Sequence, residues 1–161
     1  MATKSSSFSK IKVPSAEAYR FGIVVSQWNS EITGALYDGA YKYLIKHGAS
    51  KNQIITVEVP GSFELTSGAD LLLANHQVDS VICLGCVVQG ETRHFDFICD
   101  AVANGITQVS LKYNKSVVFG VLTTDNIEQA KDRAGGKYGN KGEEAAATAI
   151  QMAALRTYLS S

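Results

Sequence analysis

Val78-Asp79-Ser80-Val81-Ile82-Cys83-Leu84-Gly85-Cys86-Val87-Val88 is the stretch on which the fold turns. It is almost continuously apolar, rich in β-branched residues and free of strict polar alternation, as expected of a strand buried on both faces of a parallel sheet. Runs of the same character lie on either side of it, Phe21 to Ser26 and Ile54 to Val59 before it and Val117 to Leu122 after it. Between the runs the apolar spacing changes to three or four residues. Ile32, Leu36, Ala40, Tyr43 and Leu44 predict a helix that stops at His47-Gly48. Leu65, Ala69, Leu72 and Leu73 predict a second, with Ser62 as its N-cap. A third is expected from about Arg93 to Tyr113, and two more over Ile127 to Arg133 and the Ala-rich Glu143 to Tyr158. Parallel neighbours need helical crossovers, so this alternation predicts an α/β layered domain around a four-stranded, mainly parallel sheet.

The chain has 161 residues, enough for one domain with a sizeable core. Fifteen Lys and Arg balance fifteen Asp and Glu, with no block of like charge, which argues against nucleic acid and anionic membrane partners. No apolar run approaches the ~18 residues of a membrane span. Three cysteines, Cys83, Cys86 and Cys99, are an odd number lying in or beside apolar segments, so a reducing, cytoplasmic setting is expected rather than a disulfide framework. Cys83 and Cys86, three apart on a strand, should point to opposite faces as buried, inert thiols, and no metal site is expected. Residues 1–18 are read as a flexible N-terminal arm and 19–161 as the single domain.

Open parallel sheets bind ligands beyond the carboxyl ends of their strands. Those ends carry Ser26-Gln27-Trp28-Asn29, Pro60-Gly61-Ser62-Phe63-Glu64, Gln89-Gly90-Glu91-Thr92-Arg93-His94 and Thr123-Thr124-Asp125. An aromatic plate, hydroxyls, a carboxylate and an imidazole on one rim suit a flat polar ligand. Gly90-Glu91-Thr92, at a strand-to-helix turn, is either a plain helix cap or an anion site built from backbone N–H groups and a hydroxyl. Gly85 and Gly90 have Walker A spacing, but Glu91 stands where the phosphate-binding Lys belongs, which argues against an NTPase. His94 follows directly, and histidine is the side chain that moves protons near neutral pH. Arg133 to Gly142 packs four glycines and three cations into ten residues. That segment reads either as a solvated loop or as a source of countercharge, with Arg133 the better shape for bidentate phosphate capture.

Pro60-Gly61-Ser62-Phe63-Glu64, Gly90-Glu91-Thr92-Arg93-His94-Phe95, Phe119-Gly120-Val121-Leu122-Thr123 and Arg133-Ala134-Gly135 through Gly139-Asn140-Lys141-Gly142 together resemble the 6,7-dimethyl-8-ribityllumazine synthase family, over about Tyr19 to Leu155. The resemblance implies a flavodoxin-like three-layer α/β/α sandwich. It also implies condensation of 5-amino-6-(D-ribitylamino)uracil with 3,4-dihydroxy-2-butanone 4-phosphate, without metal or organic cofactor. It makes Trp28, often Phe in the family, the plate for the pyrimidine ring. Ser62 and Glu64 become ligands of the ribityl hydroxyls, Phe63 a wall, and Cys86, Val87 and Val88 a source of backbone groups for the uracil edge. Glu91, Thr92 and Arg133 would hold the butanone phosphate, and His94 would transfer protons. Lys141 and Glu144 would support them. Glu91 stands where many relatives carry a small residue, and its side chain is expected to face outward. The family completes each site across a subunit interface, bringing Phe119 and Arg133 to it, in pentamers, decamers or sixty-subunit shells. The short Gly135 to Asn140 connection resembles the shell formers. Other readings are a riboflavin synthase of the archaeal type on the same fold, a flavin or lumazine carrier, and a structural shell protein.

Overall fold

The computed structural model describes residues 11–161. Strands β1 (Phe21–Ser26), β2 (Ile54–Val59), β3 (Ser80–Val88) and β4 (Ser116–Thr124) form one parallel sheet in the order β2-β1-β3-β4. Each connection carries a helix: α1 (Ser30–Lys46), α2 (Leu65–Asn75) and α3 (His94–Tyr113). Helices α4 (Ile127–Arg133) and α5 (Lys141–Ser160) follow β4. The continuous apolar runs are continuous because their strands are covered twice. Central β1 is buried at every position, whereas edge strand β2 is nowhere fully buried.

Alternating side chains feed two cores. On one face Phe21, Ile23, Ile82 and Leu84 pack with Leu36 and Leu44 of α1 and Ile150 of α5. On the other, Val24, Val81 and Cys83 pack with Leu65 and Leu72 of α2 and Ile106 of α3. The result is the expected three-layer α/β/α, flavodoxin-like arrangement, and truncating a fully buried Leu such as Leu36 to Ala should cost about 2–5 kcal/mol. The small residues of α5, among them Ala145, Ala146 and Ala149, let it lie close against the sheet and α1. At its start Gly142 touches the Leu36 carbonyl so closely that no side chain would fit.

Two details differ from the sequence expectation. Ser62 does not cap α2: residues Ser62–Glu64 form a 3₁₀ turn entered through Gly61, and the Ser62 hydroxyl makes no capping bond. The glycine-rich segment after α4 is not an open loop but a small antiparallel hairpin, β5 (Ala134–Gly136) and β6 (Gly139–Asn140). Gly135 (φ +110°) and Gly139 (φ +78°) supply the positive φ that a tight reversal needs. Asn140 then caps α5 by accepting from the Gly142 N–H at 2.8 Å and ties the hairpin to α1 by donating to the Ala35 carbonyl at 2.9 Å.

Of the stretch read as an arm, residues 1–10 lie outside the described residues. Ala16 is fully buried, and its N–H donates to the His47 carbonyl at 2.8 Å. Among the described residues no helix is long and apolar enough to cross a membrane.

Candidate functional site

The strand ends of β1, β2 and β3 are laced into one rim. As β1 ends, the Gln27 N–H donates to the Val59 carbonyl at 2.8 Å and the Trp28 N–H to the Pro60 carbonyl at 3.0 Å. Asn29 opens α1 in the left-handed conformation (φ 57°), a region that Asn tolerates better than most residues. Its side chain does not cap the helix; Nδ2 reaches across and donates to the Cys86 carbonyl at 3.0 Å, joining the ends of β1 and β3.

On this rim the Trp28 indole is 66% exposed, with its ring edge laid against Gly61 so tightly that a Cβ there would overlap it. The Gly61 N–H in turn donates to Glu64 Oε2 at 3.0 Å, which places plate and carboxylate on the same short turn. Phe63 is exposed beside them, and Ser62 is buried, its side chain against Gly85 of β3. The hydroxyls of Ser26, Ser62 and Thr124, buried near the strand ends, have no hydrogen-bond partner among the described residues.

After β3 the chain crosses Gly90, Glu91, Thr92 and Arg93 into α3, all four exposed. Thr92 Oγ1 accepts from the N–H of His94, the exposed first residue of α3, at 3.3 Å. No acceptor among the described residues takes the N–H groups of Glu91, Thr92 or Arg93, so the turn retains anion-binding capacity at a helix N-terminus. Arg93 sits 3.9 Å from Asp96 on the exposed first turn, an ion pair of little consequence.

A second feature lies along the outer edge of the sheet. There β4, the start of α5 and the end of α4 enclose a groove of about 450 Å³, lined among others by Phe119, Thr124, Arg133, Lys141 and Glu144. Lys141 and Glu144, each about one-fifth exposed, form a 2.7 Å ion pair that spends their charges on one another. Arg133 differs. Its Nη1 donates to the Gln129 carbonyl at 2.9 Å, and no carboxylate among the described residues pairs with it. None of Trp28, Ser62, Glu64 and His94 lines this groove.

The thiols are accounted for by burial. Cys83 and Cys86 sit in opposite cores, and desolvation pushes them up to about 12 and about 11 respectively, leaving no thiolate near neutral pH. Among the described residues no group of three or more His, Cys, Asp or Glu side chains is placed to hold a metal ion.

Every candidate from Trp28 to His94 therefore lies on or under the rim, and Phe119, Arg133 and Lys141 fall in the groove. Sequence reasoning missed the bridging role of Asn29, whose only signal was an Asn at a strand-to-helix turn. It also missed the orphaned Thr124 hydroxyl and the ring of Tyr138 beside Arg133.

The family model for 6,7-dimethyl-8-ribityllumazine synthase matches residues 18–157. A 6,7-dimethyl-8-ribityllumazine synthase from Cytophaga hutchinsonii is 63% identical over 143 residues, covering 89% of this chain and 90% of that protein. The enzyme of the same name from Bacteroides fragilis is 53% identical over 133 residues (83% and 93%), and that from Flavobacterium johnsoniae 50% over 159 residues (97% and 84%). With the family matched over most of its length and relatives of this identity, the chain belongs to the 6,7-dimethyl-8-ribityllumazine synthase family.

Proposed function

We propose that the chain condenses 5-amino-6-(D-ribitylamino)uracil with 3,4-dihydroxy-2-butanone 4-phosphate to 6,7-dimethyl-8-ribityllumazine, phosphate and water, the penultimate step of riboflavin biosynthesis. The observation that carries this reading is family membership across residues 18–157, with an aromatic plate and an imidazole on one rim. Residues 19–161 act as its one catalytic domain, on two small-molecule substrates.

In the proposed site Trp28 stacks on the pyrimidine, Glu64 takes the ribityl chain together with Ser62, whose side chain is buried behind the turn, and Phe63 is a wall. The strand end at Cys86, Val87 and Val88 offers backbone groups to the uracil edge, the Cys86 carbonyl already sharing one lone pair with Asn29. The Glu91-Thr92 turn and Arg133 take the phosphate, and Lys141 and Glu144 support the groove. Phe119 closes over the ring from the groove side.

Chemically, the 5-amine attacks the ketone and water leaves as the imine forms. Phosphate is then eliminated, and the resulting enol tautomerises and closes onto the ribityl-bearing nitrogen with loss of a second water. Each step moves a proton, for which His94 is the available group. Holding two reactants in register can supply up to ~7–11 kcal/mol, and proton transfer adds about a hundred- to ten-thousandfold.

Because none of Trp28, Ser62, Glu64 and His94 lines the groove, one chain presents two half-sites. The reading that fits is a homo-oligomer in which the groove of one chain closes over the rim of the next, as pentamers or as a sixty-subunit shell built from them. Light scattering near the mass of five subunits would exclude the shell. Free thiols suit a reducing compartment, which supports a cytoplasmic setting for the enzyme.

The test is the rise of lumazine absorbance when both precursors are mixed with the protein. Riboflavin formed from purified lumazine alone would instead indicate the dismutating enzyme.

A further inference from the structure

We propose that Tyr138 is a positioning residue that holds Arg133 ready for an anion without neutralising it; this rests on the reading of Arg133 as a phosphate ligand. Arg133 is the last residue of α4, and the hairpin folds the chain straight back on it. The Tyr138 N–H donates to the Asp132 carbonyl at 2.7 Å, which closes the turn and returns residue 138 to the side of residue 133. The guanidinium carbon lies 4.9 Å from the centroid of the Tyr138 ring, and both residues are half-buried. Lys137 Nζ lies 5.2 Å from the same centroid.

The choice of partner is what matters chemically. A carboxylate would hold Arg133 more firmly but would compete with an incoming phosphate for the same N–H donors and cancel the charge that attracts it. An aromatic face attracts the cation through its quadrupole and accepts none of the in-plane hydrogen bonds. Arg133 spends one N–H on the Gln129 carbonyl, so the remaining donors of its five stay available. The neighbouring cation, Lys141, is by contrast already paired with Glu144 at 2.7 Å. The hairpin thus keeps one uncompensated guanidinium, oriented and partly desolvated, on the wall of the groove.

The experiment measures, for Tyr138→Leu, Tyr138→Phe and Arg133→Ala, the KM of each substrate, kcat, and inhibition by inorganic phosphate. Removing the ring in Tyr138→Leu should raise the KM for the butanone phosphate and the Ki for inorganic phosphate together by about two- to fivefold. The KM for the pyrimidine should stay unmoved. Tyr138→Phe, which keeps the ring, should restore both values. In the Arg133→Ala background, Tyr138→Leu should add nothing. If Arg133→Ala weakens phosphate binding and Tyr138→Leu does not, or if Phe fails to rescue, the positioning role is overturned. If Arg133→Ala leaves phosphate binding intact, the underlying reading of Arg133 fails instead. Should Tyr138→Leu not fold, Tyr138→Trp carries the test, since the better π-face must bind phosphate at least as tightly as the native ring.

Discussion

At the rim, Trp28 rests on the backbone of Gly61 and Glu64 is pinned by the Gly61 N–H, so the groups meant for the pyrimidine and its side chain are held by main chain at strand ends. At the groove, Arg133 has one main-chain anchor, the Gln129 carbonyl, but is otherwise held by an aromatic ring, and Lys141 is held by Glu144, so orientation there depends in larger part on other side chains. Main-chain support ties the rim to the sheet, which moves only with the whole fold. Side-chain support lets the groove be tuned by single residues of the hairpin, and it is there that substitutions should change affinity without changing the scaffold.

The largest expected break concerns the rim. His94→Ala should lower kcat by about a hundred- to ten-thousandfold yet leave measurable turnover, because orientation survives. Complete loss in a folded, assembled protein would refute that balance. At the groove, Arg133→Ala should weaken butanone phosphate binding by about ten- to a hundredfold, the worth of a charge-assisted pair, read as KM for that substrate. Mixing the two variants sharpens the contrast. If rim and groove of one site come from different chains, co-refolding equal amounts should give about a quarter of the interfaces an intact half from each, and activity should return. No recovery would place both halves in one chain.

Smaller effects test the buried groups. Cys83 and Cys86 are raised above the usual thiol value of 9.0, to about 12 and about 11. The unfolded chain therefore ionises first, so stability present below pH 9 should decline as pH rises through that window, and neither thiol should react with an alkylating reagent at neutral pH. Smallest of all, Ser62→Ala removes a buried, unpartnered hydroxyl and should raise Tm by about 2–4 °C, for a gain of about 1 kcal/mol. A fall in Tm would mean that the hydroxyl has a partner in the native assembly.

Strands β1, β3 and β4 were legible because each is covered on both faces and so reads as a nearly continuous apolar run, and edge strand β2 was legible through its Val and Ile although Thr56 and Glu58 interrupt it. The rim followed from them, since in a parallel sheet all the carboxyl ends share one side. The hairpin was not legible: Ala134-Gly135-Gly136 and Gly139-Asn140 are too short and too rich in glycine to show any period. Ser62 looked like a cap because it is a Ser ahead of an apolar stripe, but it is itself the first residue of a 3₁₀ turn whose N-cap position is Gly61, and it is buried there. In the groove Arg133 stood out by its charge and shape within a glycine-rich segment, whereas Phe119 and Glu144 did so only through family resemblance, and the pairing of Arg133 with Tyr138 depends on how the hairpin turns, which no spacing rule conveys.

The Asn140 bond to the Ala35 carbonyl and the contact of Gly142 with the Leu36 carbonyl register the hairpin against a helix about a hundred positions earlier. Such distant contacts close late, after the long loop between them has lost its freedom. The groove is accordingly a product of the last stage of folding. In a refolding experiment, helix content should return before phosphate affinity, so catalytic competence reports completion of this long-range docking rather than formation of the sheet.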